Sequence, residues 1–282
     1  MLGSGLSTLY YSKHQVYALH RDKKCYTQSF IDFSLDLTND VEVKKIINEI
    51  EPDVLIHCAG NTDIDYCENN EIKAYQANVT VTENLLQSCY EKTKFVYIST
   101  DQVYGSLTNA MENNEDLEPL NIYGKTKLLG EKKVEELFAN HIIIRTNIFG
   151  WNIKPGKVSS AEWMFNSLMN GKEIVLFKDY TFSPIYTKYL GQIIMELYKE
   201  NFTGIINIGA NNTCSKYEFG YRMADDFGFD LDLIKIGSMA GHKFLAKRHN
   251  SLNLNTQKIT NLNIKLPTIG KSIQWFKQDK FE

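Results

Sequence analysis

The sequence predicts an α/β fold, a doubly wound parallel sheet carrying a smaller α/β substrate lobe. Three observations predict it. Short apolar runs recur along the chain: QVYAL at 15–19, DVLIHC at 53–58, KFVYIS at 94–99, HIIIRT at 141–146 and GIINIG at 204–209. Between them lie helix-periodic stretches at about 39–50, 71–91, 122–139, 187–200 and 215–227, with apolar residues three or four apart. The runs are apolar on nearly every residue, as strands are when helices cover both faces of a parallel sheet.

At the N-terminus, MLGSGLSTLYYSKHQVYALHR contains a variant of G-x-G-x-x-G that ends in Thr8. A dinucleotide fingerprint needs a strand before it, a glycine turn that brings backbone N–H groups to the pyrophosphate, and a helix after it. No strand precedes Gly3. Gly3 reads better as the last glycine of a G-x-x-G-x-x-G turn, with Ser4 to Lys13 as the first helix, Leu2, Leu6 and Leu9 facing the sheet, and Gln15 to Leu19 as the second strand. On this register the first strand and the first two glycines are missing. The centre of the sheet is then empty, unless another segment fills it. Where this second strand ends, Leu19-His20-Arg21-Asp22 meets the adenosine ribose; Arg21 favours a 2′-phosphate and NADPH, whereas Asp22 favours the free diol of NADH.

Thr38, Asn39 and Asp40 give an N-cap signal for the helix at 39–50. After Gly150 the texture changes, with NIKPGK at 152–157, FSPIY at 182–186, and a last third richer in Asn, Lys and isolated aromatics. The predicted organisation is a Rossmann-like dinucleotide-binding domain over 1–150, joined by about 187–209, and a substrate-binding lobe over 151–186 and 210–282.

The chain has 282 residues, 43% hydrophobic and 23% charged, which suits an ordered globular protein. A formal net charge of -3 gives no field that attracts polyanions, so a nucleic-acid partner is not expected. Cys25, Cys58, Cys67, Cys89 and Cys214 form no CxxC pair and read as reduced thiols. His14, His141, His242 and His249 lack metal-ligand spacing, so no metal is expected. Trp163 and Trp275 read as core or lobe packing. No apolar run is long enough for a membrane span, and Met1 to Tyr10 has no signal-peptide pattern; the expected location is the cytoplasm.

The chemistry concentrates in Ser99-Thr100-Asp101-Gln102-Val103-Tyr104-Gly105 and in Tyr123-Gly124-Lys125-Thr126-Lys127. The first places a hydroxyl at a strand end. The second places a Tyr-x-x-x-Lys pair on one helix face, so that phenol and ammonium can share a cleft. Free tyrosine has a pKa near ~10, and a neighbouring cation is expected to lower it. Thr100, Tyr123 and Lys127 are therefore the candidate catalytic residues of a hydride transfer with proton delivery to a carbonyl oxygen.

These segments resemble the extended short-chain dehydrogenase/reductases, and within them the dTDP-4-dehydrorhamnose reductase family: STDQVYG, Glu118-Pro119-Leu120-Asn121 and YGKTKLLGE match its pattern. The resemblance implies a nicotinamide cofactor, NADPH or NADH, and a nucleotide-sugar substrate. It implies cofactor contacts at Gly3, Arg21, Asp36, Leu37, Ala59, Gly60, Thr62, Asn78, Tyr123 and Lys127, and substrate contacts at Asp101, Asn147 and Arg248. Ser183-Pro184 and the stretch from Arg248 through Leu254-Asn255-Thr256 to Lys258 also match. Departures are the incomplete glycine turn, Ile148 where the family often has an aromatic (here shifted to Phe149 and Trp151), and Arg248-His249 in place of Arg-Pro.

Related dehydratases carry Thr-Asp-Glu where this chain has Thr100-Asp101-Gln102, and an amide cannot exchange a proton at neutral pH, which argues against elimination of water. The leading expectation is an NAD(P)H-dependent reductase of a nucleotide-linked 4-keto-6-deoxy sugar. The alternatives are a nucleotide-sugar epimerase of the same superfamily and a non-catalytic regulatory or binding protein on this fold, of the kind seen in the regulatory subunit of methionine adenosyltransferase. A homodimer is an open expectation.

Overall fold

The frame is parallel sheet covered by helices on both faces. The computed structural model describes residues 1–21, 30–113, 115–152 and 156–281. After helix α1 (Leu2–Tyr10), strand β1 (Tyr17–His20) pairs in parallel with β2 (Ile31–Ser34), and α2 (Asp40–Ile50) returns the chain to β3 (Val54–His57). Helices α3 (Ile64–Asn69) and α4 (Glu71–Tyr75), a π-helical turn at Gln76–Thr80 and α5 (Val81–Ser88) lead to β4 (Lys94–Ile98). Next come β5 (Leu107–Ala110), α6 (Ile122–Leu137) and β6 (His141–Thr146).

Beyond β6 run β7 (Ile148–Phe149), α7 (Ser160–Met169), β8 (Ile174–Phe177), β9 (Thr181–Phe182), β10 (Ile185–Tyr186) and α8 (Thr187–Lys199). The chain then forms β11 (Gly204–Ile208), β12 (Cys214–Ser215), α9 (Lys216–Phe227), β13 (Ile234–Gly237), β14 (Ser251–Leu254), α10 (Gln257–Asn261) and α11 (Ile269–Phe281). Strands β3, β4, β6 and β11 form one parallel sheet in the order β11-β6-β4-β3.

Side-chain alternation along these strands divides the core in two. Val96, Ile98, Ile142 and Ile144 point to the layer of α1, α8 and α10, where Leu2, Leu6, Leu190, Ile194 and Ile259 are buried. Phe95, Tyr97 and Ile143 point to the layer of α2, α5 and α6, against Val43, Ile47, Leu85 and Val134. Each fully buried aliphatic side chain here contributes roughly 1.5–3 kcal/mol. A third core lies under the last part of the chain, where Phe149, Phe182, Phe219 and Phe276 meet edge to face or tilted. Trp151 stacks on Phe276 with ring centroids 4.0 Å apart, so both shifted aromatics, Phe149 and Trp151, belong to this core. Trp275 packs on Tyr186 and Tyr189, whereas Trp163 is 45% exposed and does not pack as its helical spacing suggested.

The helix at 39–50 starts as its cap signal predicts: Asn39 Oδ1 accepts from Glu42 N at 3.3 Å. The first helix begins earlier than predicted, at Leu2, and Gly3 is its second residue rather than a turn before it. Leu2 and Leu6 are buried as expected.

Strands β1 and β2 form a separate two-stranded sheet, and among the described residues no strand joins β1 to β3. Between them lies a cavity of about 460 Å³, lined by Val16–His20 of one strand, Val54–Ala59 of the other, and Gly3, Leu6, Ile47 and Leu85 from the helices above and below. The strands beside it are only half-buried, while β4 and β6 are buried throughout.

Candidate active site

The carboxyl end of β4 carries the first element. Thr100 leaves the strand in extended conformation and caps a 3-10 turn at Asp101–Val103, its Oγ1 accepting from Gln102 N at 3.2 Å. That turn fixes the buried Asp101. Its Oδ2 accepts from Asn147 Nδ2 at 2.6 Å, at the end of β6, and its Oδ1 accepts from Thr100 Oγ1 at 3.2 Å. Burial pushes the Asp101 carboxyl up to about 6, against the hydrogen bonds from Asn147, Thr100 and Gln102.

Helix α6 brings the second element. Asn121 caps it, Oδ1 accepting from Gly124 N at 2.9 Å, while its Nδ2 donates to Lys247 O at 3.0 Å from the far lobe. Gly124 lies so close to the Gln102 carbonyl that a Cβ would overlap it, which seats the first turn of α6 directly on the Thr100–Gln102 backbone. Tyr123 is thereby held in the interior, on the same side of the turn as Thr100. Burial pushes this phenol above its ordinary value, against the lowering influence of the Thr100 hydroxyl, and the Asp101 carboxylate adds to the rise.

Lys127, one turn further, is buried with its ammonium 3.9 Å from the centre of the Tyr97 ring. Burial lowers Lys127 to about 7, against the pull of Glu131 and Cys58. The expected lowering of Tyr123 by Lys127 is therefore not found. Desolvation dominates both groups, and the cation faces Tyr97.

The third element is the turn after β3. Asn78 sits in the π-helical turn, a geometry that widens the helix and turns one side chain inward. Its Oδ1 accepts from Asn61 N at 2.8 Å, and its Nδ2 donates to Asn61 O at 3.2 Å and to Thr126 Oγ1 at 3.0 Å. Asn78 thus ties the Ala59–Gly60–Asn61 turn to α6. A Cβ on Gly60 would meet Asn78 Oδ1 at 2.8 Å, so the turn approaches too closely for a side chain there.

The remaining expected cofactor residues are spread along the sheet end and the cavity beside β3. Gly3 faces Cys58, with room for a Cβ at 3.6 Å. Leu37 lines the cavity between β1 and β3. Asp36 is exposed and turned onto its own loop, accepting from Thr38 N at 2.9 Å and Thr38 Oγ1 at 2.8 Å, which holds its carboxyl below the usual range. Arg21 and Thr62 are exposed, and Asp22 and Cys25 lie outside the described residues.

Two groups that the motifs did not single out, Tyr180 and Lys216, join the site. Tyr180 is buried beside the site, where burial raises its phenol, with the Asp101 carboxylate adding to the rise and Arg248 and Gln102 opposing it. Lys216 lies with its ammonium 3.9 Å from the Phe182 ring centre and 5.4 Å from that of Tyr180; burial lowers it to about 8, against Asp101 and Cys214. A reciprocal capping box, Ser215 with Glu218, starts α9 and fixes Lys216 in its first turn. That S-x-x-E spacing was visible in the sequence, but nothing in it says which way Lys216 faces. Arg248, expected at the substrate, donates from Nη2 to Asp65 Oδ2 at 2.8 Å and lies 5.0 Å from the Phe244 ring centre, while its buried Nε has no hydrogen-bond partner. Its charge still reaches Tyr180.

Among the described residues no cluster of His, Cys, Asp and Glu could hold a metal, and no helix is long and apolar enough to cross a membrane. The profile of the RmlD substrate binding domain family matches residues 1–279. The chain belongs to that family. The dTDP-4-dehydrorhamnose reductase of Escherichia coli is 28% identical over 240 residues, covering 80% of this chain and 79% of its own. The probable low-salt glycan biosynthesis reductase Agl14 of Haloferax volcanii is 27% identical over 210 residues, covering 73% of this chain and 70% of its own. A solved dTDP-4-dehydrorhamnose reductase of Bacillus anthracis, in complex with NADP, superposes with a TM-score of 0.83 at 23% identity, covering 93% of this chain and 98% of that one. At that identity the likeness is one of fold. The family match covers Thr100, Tyr123 and Lys216 alike.

Proposed function

We propose that this RmlD-family chain is an NAD(P)H-dependent reductase of a nucleotide-linked 4-keto-6-deoxy sugar. The observation that carries the reading is the placement of Thr100 at the carboxyl end of β4 and of buried Tyr123 in the first turn of α6, which is seated on the Thr100–Gln102 backbone, with buried Lys127 one turn along the same helix. The nicotinamide, when bound, supplies hydride to the carbonyl carbon.

The chain's own groups then handle the oxygen. Thr100 donates a hydrogen bond to it, and Tyr123, kept protonated by burial, delivers the proton. Lys127, held near 7, is poised to exchange a proton on the helix face it shares with Tyr123. The Ala59–Gly60–Asn61 turn, drawn in by Asn78, fits the nicotinamide half of the cofactor at the same strand end. Asp101, Asn147, Lys216 and Arg248 are the groups we assign to the sugar and its nucleotide. Gln102 supplies an amide rather than a carboxyl, which favours reduction over dehydration.

Substrate and cofactor are both water-soluble nucleotides, and we place the reaction in the cytoplasm. The test is NADPH oxidation in the presence of a dTDP-linked 4-keto-6-deoxy sugar, with product measured against NADPH consumed. One-to-one consumption that disappears in Tyr123→Phe supports the reading. NAD retained through purification, with sugar interconverted and no net consumption, would mark an epimerase instead.

A further inference from the structure

Tyr97 is fully buried on β4, and its ring lies beneath Lys127. Like Phe95 and Ile143 it points into the layer of α2, α5 and α6. Its hydroxyl reaches Asn78 O at 3.5 Å and Lys127 O at 3.4 Å, both at the long limit of a hydrogen bond. A Cβ on Gly130 would overlap that hydroxyl, so α6 comes this close to the strand only because position 130 has no side chain. The Lys127 ammonium ends 3.9 Å from the ring centre.

No other group takes up that charge directly. Among the described residues the ammonium has no hydrogen-bond acceptor and no ion-pair partner. On its own helix Glu131 acts on it, but that carboxylate is already held by Arg145 and Ser99. Tyr123, one turn earlier, is kept a neutral phenol by burial. From β3, burial keeps Cys58 a thiol and His57 an uncharged imidazole. Thr82 Oγ1 gives its proton to Asn78 O at 2.9 Å, so His57 Nε2 donates to Thr82 at 3.0 Å. The negative face of an aromatic ring attracts a desolvated cation, and here it is the one partner in contact.

We propose that Tyr97 is the positioning residue for Lys127, its ring face fixing the ammonium beside α6. Leucine or isoleucine would fill the strand position but offer no such face. The long bonds of the hydroxyl make it dispensable, so the ring alone carries the effect. The proposal deepens the reductase reading and rests on it only for the use made of the proton on Lys127.

The test reads Lys127 itself in the cofactor-free chain, by heteronuclear NMR of the lysine ε-methylene signals across pH. Its signal, titrating at about 7, is identified by its loss in Lys127→Met. Tyr97→Phe keeps the face and should titrate as the wild type does. Pentafluorophenylalanine placed at position 97 keeps the shape but reverses the charge of the face, and should lower the Lys127 midpoint by about one pH unit. A trifluorinated phenylalanine, milder in bulk and in charge, should give an intermediate fall and serves if the fully fluorinated chain does not fold. Pentafluorophenylalanine at position 95, in the same layer, should leave the midpoint where it is. A midpoint indifferent to fluorination at 97, one that moves equally with fluorination at 95, or one that already falls as far in Tyr97→Phe would overturn the proposal. None of these readouts uses turnover, so its failure is separate from that of the reductase reading.

Discussion

The Arg145 guanidinium and the Glu131 carboxylate meet in the core directly beneath the active-site turn, through contacts of 3.1, 3.1 and 2.7 Å. Both side chains are about 1% exposed. Ser99, the residue before Thr100, donates to the same carboxylate, and Arg145 Nη1 donates to Tyr104 OH at 3.0 Å. Burial works against the Arg145 charge, but Glu131 and Tyr104 outweigh it and keep the guanidinium protonated. One ion pair therefore ties β6, α6 and the end of β4 together, which is the set of elements that presents Thr100 and Tyr123.

Removing one partner leaves a buried charge without compensation. Glu131→Ala is expected to destabilise the fold by about 3–5 kcal/mol. Urea denaturation followed by tryptophan fluorescence checks this. A loss below about 1 kcal/mol would mean that water or a neighbour takes over the carboxylate's place.

Tyr123→Phe removes one hydroxyl and leaves the ring in its packing. Thermal stability should change little, while turnover should fall by about 10²–10⁴-fold, the usual worth of a positioned acid. Comparing steady-state kinetics with cofactor affinity checks it, since the phenol's part in the reading is proton delivery. Near wild-type turnover would remove Tyr123 from that role.

The order of β1, β3, β4, β6 and β11 with the helices between them was legible because each of those apolar runs had the length of a strand and each periodic stretch that of a helix, whereas β2 (Ile31–Ser34), only partly apolar, was not. The positions of Thr100, Tyr123 and Lys127 at one strand end and on one helix were legible from their spacing, but the Lys127 ammonium's contact with the Tyr97 ring was not. Lys216 and Tyr180 were not, since they reach the site from a lobe whose placement depends on packing among aromatics such as Phe149, Phe182 and Phe276. The Glu131–Arg145 pair was hidden for a similar reason. Two charged residues 14 apart in sequence look like surface groups until α6 is laid across β6. The effect of burial on Tyr123 and Lys127 escaped as well, because spacing shows that two groups are near but not how much water each has lost.

Two buried groups give stability opposite pH dependences. Asp101 has its carboxyl raised from 3.8 to about 6, so across that interval the folded chain holds more protons than the unfolded one and stability falls as pH rises. Lys127 has its ammonium lowered from 10.5 to about 7, so the unfolded chain holds more protons there and stability rises with pH. Lys127→Met abolishes the second trend. The wild type should therefore gain on Lys127→Met as pH rises above about 7, and Asp101→Asn should flatten the acidic limb between 3.8 and about 6. Denaturation midpoints taken across pH check both; a constant gap between wild type and Lys127→Met would show that the ammonium is solvated.

Lys216 is the group whose removal separates substrate from cofactor. It stands in the first turn of α9, and its charge acts on Asp101 while its ammonium lies over the Phe182 ring. Lys216→Met keeps the length and the apolar contact but removes the cation, so the KM for the sugar nucleotide should rise by about tenfold or more while NADPH affinity stays as it is. The same change withdraws a positive charge that holds the Asp101 carboxyl down, so the acidic limb of the pH–rate profile should move to higher pH. An NADPH affinity that falls together with the KM effect would place Lys216 on the cofactor side. An acidic limb that does not move would show that Asp101 and Lys216 are screened from one another by solvent, and that Lys216 contributes packing alone.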